Sequence, residues 1–261
     1  MRVSAIQMDM RFADPAYNFR RAEELIREAA AVNPDVVVLP ETWNTGFFPK
    51  EGLRELSDQD GIAVKAMCSA LARELNVNIV AGSVSNVKEG KVYNTAYVFD
   101  RQGARIAEYD KTHLFTPMGE QDCYKAGNHI TTFALDGWRC GVILCYDVRF
   151  PELARTLSLT GLDVLFLPAQ WPAQRRYHWE TLTAARAIEN QIFVVACNAC
   201  GKAGKTVYGG LSRILDPWGN PIVAAGGSEV ILTGDLDFSV IEGIRASINV
   251  YRDRRSALYR I

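Results

Sequence analysis

The sequence predicts a single α/β domain, and three observations carry that prediction. Strand-like and helix-like segments alternate along the 261 residues. Runs such as Asp35-Val-Val-Val-Leu-Pro40 are apolar at consecutive positions, as suits strands that helices cover on both faces. No Ser/Pro-rich linker or compositional break divides the chain, so residues 1–261 read as one domain.

Each element has a local reason. Val3 to Met8 reads as a short strand, and Asp14-Pro15 opens a helix with Ala22, Leu25, Ile26, Ala29 and Ala30 at helical spacing. Asp35 to Pro40 forms the next strand, closed by its proline. Ala63, Ala66, Met67, Ala70 and Leu71 mark a second amphipathic helix, followed by the strands VNIVAGSVS and VYNTAYVF, the latter after a Glu89-Gly90 turn. RIAEYD then reaches Lys111. After a looser stretch with Pro117, Gly119 and Gly127 come GVILC, a helix from about Pro151 to Thr160, and the strand DVLFLP. A further helix, roughly Trp179 to Asn190, leads into IFVVAC. The tail is expected to alternate strands with turns such as Asp216-Pro-Trp-Gly-Asn220. Asp35–Pro40 and Asp163–Pro168 share a pattern, and each follows a strand and a helix, so two strand–helix–strand halves are expected.

Composition narrows the function classes. Lys and Arg number 29 against 30 Asp and Glu, a formal charge of −1 without the basic footprint of a nucleic-acid or anionic-membrane partner. No apolar run approaches the ~18 residues of a membrane span. The N-terminus turns charged by Arg11 and lacks a secretory apolar core. Cys68, Cys123, Cys140, Cys145, Cys197 and Cys200 are therefore expected as reduced thiols in a cytoplasmic protein.

In sheets of this kind ligands collect at the carboxyl ends of strands. Glu41 follows DVVVLP, Lys111 follows RIAEYD, and Cys145 ends GVILC before a turn into a proline-started helix. A carboxylate, an ammonium and a thiol supply a base, a cationic stabiliser and a nucleophile, the minimum set for covalent acyl transfer. Position alone leaves the plainer readings open: a buried inert cysteine, a surface-turn glutamate and a solvated lysine.

The blocks VVVLPETWNTGFF, EYDKTHLF, GVILCYDVRFPEL and ARAIEN, in this order, resemble the signature blocks of the nitrilase superfamily of carbon–nitrogen hydrolases. The similarity runs from Val3 to near Tyr259. It implies a four-layer α-β-β-α sandwich, homodimerisation through a helix face, and no metal or organic cofactor. It implies Glu41 as general base, Lys111 as oxyanion-stabilising lysine, Cys145 as nucleophile, and Glu120 as the second glutamate that orients the lysine and the attacking water. The Tyr146 backbone N–H is expected to complete the oxyanion site. CYDVRFPEL, AQWP and His178-Trp179 are closer to the omega-amidase branch, whose members hydrolyse the terminal amide of 2-oxoglutaramate or 2-oxosuccinamate. Tyr146 and Asp147 replace the tryptophan and glutamate usual in true nitrilases, which puts nitrile hydrolysis in doubt.

A small-molecule monoamide of that kind needs an anchor for its far carboxylate. Arg149 is the nearest candidate, with Arg175 and Arg176 as alternatives and an ion pair of Arg149 with Asp147 or Glu152 as the structural reading. Trp43, Phe47 and Trp171 are candidate pocket walls. Rival readings on the same three residues are a broader aliphatic amidase, an N-carbamoyl amide hydrolase and a nitrilase; from another class, the rival is a non-catalytic binding subunit of this fold.

Other signals fall away. Ala199–Thr206 nearly matches a phosphate-binding loop, but alanine holds the first glycine position and a strand, not a helix, is expected after it. Cys197-x-x-Cys200 has no second pair, and the three histidines His113, His129 and His178 have no metal-ligand spacing. His178 is the least implausible histidine partner for Cys145.

Overall fold

The computed structural model describes residues 1–47 and 49–259. The first half runs β1 (Arg2–Gln7), α1 (Pro15–Ala30), β2 (Val36–Val38), α2 (Leu53–Leu56), β3 (Asp58–Gln59), α3 (Ile62–Leu75), β4 (Asn78–Lys88), β5 (Lys91–Phe99) and β6 (Arg105–Asp110). The second runs β7 (Thr132–Leu135), β8 (Trp138–Val142), α4 (Pro151–Ser158), β9 (Val164–Ala169), α5 (Arg176–Asn190), β10 (Phe193–Asn198), β11 (Cys200–Ala203), β12 (Thr206–Gly209), β13 (Arg213–Leu215), β14 (Pro221–Ala224), β15 (Val230–Asp235) and α6 (Ser239–Ser247).

Two sheets result. One has the order β15-β1-β2-β4-β5-β6, with β3 beside β4; the other has the order β14-β13-β10-β9-β8-β7. In the first, β1, β2 and β4 are parallel and joined through α1 and α3. In the second, β8, β9 and β10 are parallel and joined through α4 and α5. The repeated topology coincides with the repeated sequence pattern, since β2 and β9 are the central strands of the two units.

Side-chain alternation explains the layering, because successive strand residues face opposite ways. Val36, Val80 and Val98 of one sheet meet Val164, Phe166 and Val195 of the other in a core between the sheets. Val37 and Ile79 face outward beneath Leu25 and Ile26 of α1 and Leu71 of α3. Leu165, Leu167 and Val194 face outward beneath Leu157 of α4 and Trp179 and Ala187 of α5. The architecture is therefore helix, sheet, sheet, helix, in which the central strands are buried on both faces.

The structure corrects several boundaries. β2 keeps only three of the six expected residues, because Leu39 and Pro40 leave the ladder for a bulge in β4. Residues 116–118 and 120–122 form single 3₁₀ turns in the stretch read as loose. The tail holds the helix α6, which buries Ile241 and Ile244, instead of strands and turns alone. Ala199–Thr206, the near-match to a phosphate loop, falls in the hairpin β11–β12, and a strand follows it, so no helix N-terminus faces a phosphate there.

Candidate active site

The site assembles where the two parallel units meet. After β2 the chain crosses a bulge between Val80 and Ser83 of β4. Leu39 N–H donates to Val80 O at 3.0 Å, and Pro40 O accepts from Ser83 N–H at 3.1 Å. Gly82 makes this approach possible: its φ is +55°, and a Cβ there would lie 1.9 Å from Pro40 O. Thr42 N–H then donates to Ser83 Oγ at 2.9 Å. A loop fixed on both sides in this way holds Glu41 fully out of water.

Lys111 stands one residue beyond β6. Its N–H donates to Asn94 O at 2.9 Å, and its carbonyl accepts from Gly127 N–H at 2.9 Å. Gly127 is again a close approach, since a Cβ would fall 2.2 Å from Asp110 O. The Lys111 Nζ donates to Glu41 Oε1 at 2.8 Å and to both Glu120 oxygens at 3.0 Å. Lys111 and Glu120 are each 1 % exposed. Burial works against an ammonium here, but Glu120 and Glu41 outweigh it and hold the Lys111 pKa well above its ordinary value. Glu120 Oε2 also accepts from Phe115 N–H at 2.5 Å, which ties this carboxylate to a neighbouring wall of the cavity.

Cys145 opens a 3₁₀ turn, Cys145–Arg149, that follows β8. Its φ of +43° is costly for a side chain with a Cβ and marks a backbone held by its surroundings. The thiol faces the Glu41 carboxyl and the Gln170 backbone N–H. Burial and then the charge of Glu41 push its pKa well up, and Lys111 and the Gln170 N–H pull the other way without prevailing. The Gln170 N–H donates to Glu41 Oε2 at 2.9 Å. Glu41, Lys111, Glu120 and Cys145 are thus brought together, with Glu41 between the lysine and the thiol. Tyr146, second in the turn, has no partner within it for its N–H.

A narrow cavity of about 30 Å³ opens beside Cys145 and Lys111. Phe47, Trp171 and Arg149 line it, together with Tyr146, Arg175 and Tyr208. Arg149 makes no ion pair among the described residues, so the alternative reading, a pairing with Asp147 or Glu152, does not hold. Its guanidinium lies 4.8 Å from the Trp171 ring and 3.2 Å from His178 Nδ1. Burial, then the nearby charge of Arg175, lower the Arg149 pKa. Arg175 lies over Phe115, and Arg176 instead pairs with Glu180 along α5. His178 thus contacts Arg149, and the carboxyl that faces the thiol is that of Glu41.

Trp43 requires a correction, because it is a core residue and no wall of the cavity. Its ring packs edge-on against Phe19, and its Nε1 donates to Ala81 O at 2.8 Å. Trp43 follows β2 just as Trp171 follows β9, but only Trp171 lies on the open side of the seam.

Two partners of the site, Asn94 and Gln170, carried no signal in the sequence, and the contacts of a third, Asp147, were not foreseen. Asn94 donates to Glu41 Oε1 at 2.8 Å, Gln170 joins Glu41 through its backbone, and Asp147 bonds residues beside both Lys111 and Cys145. Neutral amides within or just after a strand have no spacing that distinguishes them from packing residues.

Comparison with known proteins decides the family. A family model described as carbon-nitrogen hydrolase matches residues 2–246. The chain belongs to the carbon–nitrogen hydrolase family. This carbon–nitrogen hydrolase is 41% identical over 257 residues to the 2-oxoglutaramate amidase of Bacillus subtilis (strain 168), with 98% of each chain covered. XC1258 from Xanthomonas campestris, a CN-hydrolase superfamily protein, superposes with a TM-score of 0.90 at 33% identity, over 97% of each chain. A mutant of the amidase from Nesterenkonia sp. AN1, 25% identical with a TM-score of 0.88 and 100% and 96% covered, carries the acetamide moiety of fluoroacetamide on its active-site cysteine. The present hydrolase is an amidase of the nitrilase superfamily that acts on small-molecule amides.

Proposed function

We propose that this hydrolase cleaves the terminal amide of a small carboxylate such as 2-oxoglutaramate and releases ammonia through a thioester. The observation that carries the carboxylate preference is the pair Arg149 and Arg175. Both line the cavity beside Cys145, and neither is ion-paired among the described residues. Two unneutralised guanidiniums beside a narrow cavity favour an anionic group on the substrate. The 41% identical 2-oxoglutaramate amidase supports the same reading.

The residues give each step a place. Glu41 takes the proton of the Cys145 thiol as sulfur attacks the amide carbon. The C–S bond forms while the carbonyl electrons move to oxygen, and Lys111 with the Tyr146 N–H stabilises that oxyanion. Its collapse breaks the C–N bond, and the amine leaves as ammonia with the proton that Glu41 returns. Water then attacks the thioester, giving a proton to Glu41 with Glu120 holding Lys111 in place. The acid leaves as the C–S bond breaks and the thiol recovers its proton. Because burial and Glu41 favour the protonated thiol, proton transfer accompanies attack rather than preceding it.

A substrate panel tests the reading. 2-Oxoglutaramate and succinamate are expected to exceed neutral aliphatic amides, nitriles and N-carbamoyl amines in kcat/KM. A preference for neutral amides would leave the mechanism and remove the carboxylate. Loss of ammonia release in Cys145→Ala, with folding intact, separates the enzyme from a non-catalytic binding subunit. The reading includes a cytoplasmic homodimer, and exposed Tyr177 and Ile188 on α5 support the dimer. Light scattering at micromolar concentration distinguishes dimer from monomer.

A further inference from the structure

We propose that Asp147 is a positioning residue, a carboxylate staple that fixes the Lys111 segment against the Cys145 turn. The inference rests on the proposed roles of Lys111 and Cys145. Asp147 lies two residues after Cys145 and is fully buried. Oδ2 accepts from Leu144 N–H at 2.9 Å, immediately before the thiol. Oδ1 accepts from His113 N–H at 3.0 Å, two residues after the lysine. Each oxygen therefore holds one backbone donor, and the two donors belong to the two segments.

Side chains of the lysine segment bond to both oxygens. Tyr109 Oη donates to Oδ2 at 2.7 Å, and Thr112 Oγ1 donates to Oδ1 at 3.2 Å. His113 Nδ1 lies 2.8 Å from Oδ1, and the imidazole stacks on Phe150 with centroids 3.7 Å apart and planes 11° off parallel. No lysine or arginine pairs with Asp147 among the described residues. A buried carboxylate satisfied this way is held by aligned donors, and its geometry is accordingly strict. From the other side, Arg186 Nε donates to Val148 O at 2.9 Å, so the turn is gripped between α5 and the lysine segment.

The chemistry explains why an aspartate is needed. Asparagine has the same shape but only one acceptor oxygen, so its NH₂ must face a backbone N–H that cannot turn away. Either the Leu144 bond that shapes the thiol's turn or the His113 bond that ties this turn to the lysine segment is then lost. A shift of about 1 Å between reacting groups costs about 100-fold in rate. A stabilising residue without this role would change the number of folded molecules, not the turnover of each.

The test uses Asp147→Asn in the full chain, on whichever amide of the panel the wild type hydrolyses fastest, with folded molecules counted by the cooperative thermal transition. The expected result is kcat per folded molecule lower by about 100-fold, with KM within about 3-fold. Full kcat per folded molecule, or a loss accounted for by unfolding alone, overturns the proposal. Should Asp147→Asn fail to fold, His113→Leu and Tyr109→Phe each remove a side-chain bond to Asp147 and leave both backbone bonds. Each is expected to lower kcat about 5-fold at constant KM, and unchanged kcat in both overturns the staple. Cys145→Ala is measured alongside; ammonia release there would overturn the assignment of the nucleophile, a result distinct from any outcome at Asp147.

Discussion

The backbone N–H of Gln170 donates to Glu41 Oε2 at 2.9 Å, joining residues 129 apart in the chain and one on each unit of the fold. Lys111 and Asn94 donate to the other oxygen, both at 2.8 Å. Glu41 is thus a pure acceptor with donors on both sides. Glu41→Gln sets an NH₂ against one of them, removes the base and leaves the shape. The expected outcome is a fall in kcat of about 10³-fold or more with KM nearly constant, measured by ammonia release. Retention of more than a tenth of the activity would argue for another base.

Among the described residues Lys111 is the sole cation in contact with the two buried carboxylates. Lys111→Met removes it and leaves both facing each other without compensation. Breaking a buried pair from one side costs about 3–5 kcal/mol. Urea unfolding of this variant is expected to show that loss, together with kcat too low to measure; a stability equal to wild type would contradict the arrangement described.

Alkaline pH is expected to weaken the fold before it reaches the lysine. The Cys145 thiol is raised well above its ordinary value of 9.0 by burial and by Glu41, and burial holds Cys140 up to about 12. A raised thiol contributes stability fully below the unfolded value, and loses it as pH rises toward the folded one. Above pH 9 the unfolded chain therefore binds fewer protons, and stability falls by up to about 1.4 kcal/mol per pH unit for each such thiol. Lys111, raised above 10.5, adds to the loss only beyond that value. Urea midpoints between pH 7.5 and 10.5 should drop from about pH 9, less steeply in Cys145→Ala. A level profile would exclude the buried protonated thiols.

Arg149 and Arg175 separate charge recognition from chemistry. Replacing either by glutamine is expected to raise KM for 2-oxoglutaramate about 10- to 100-fold, the worth of one charge-assisted hydrogen bond. Neutral amides should be unaffected within about 3-fold. Equal effects on both substrate classes would make the arginines packing residues.

Much of this was legible in the sequence, for physical reasons. Continuous apolar strands announced sheets covered on both faces, and Glu41, Lys111 and Cys145 each follow a strand whose pattern is unambiguous. Glu120 came only through family resemblance, because a carboxylate in a 3₁₀ turn has no periodic neighbour to locate it. Trp43 and Trp171 stand in matching contexts after β2 and β9, and only the packing of Phe19 against one of them reveals which faces the cavity. For Asp147 the sequence offers, beside Glu152, only an alternative ion pair with Arg149. The actual partners of Asp147 are two backbone N–H groups and the Tyr109, Thr112 and His113 side chains, contacts that side-chain charge cannot forecast. Helix α6 was missed because its two buried isoleucines occupy one short stripe within nine residues.

The burial that raises the Cys145 thiol also has a chemical consequence outside turnover. Peroxide attacks thiolates, and sulfenic acid forms at exposed cysteines of low pKa. Burial and Glu41 favour the protonated form of Cys145, which is 8 % exposed beside a cavity of about 30 Å³. Under the proposed mechanism it becomes nucleophilic only while an amide fills that space and Glu41 accepts its proton. The same walls that make the thiol a poor acid therefore also disfavour the thiolate that peroxide attacks.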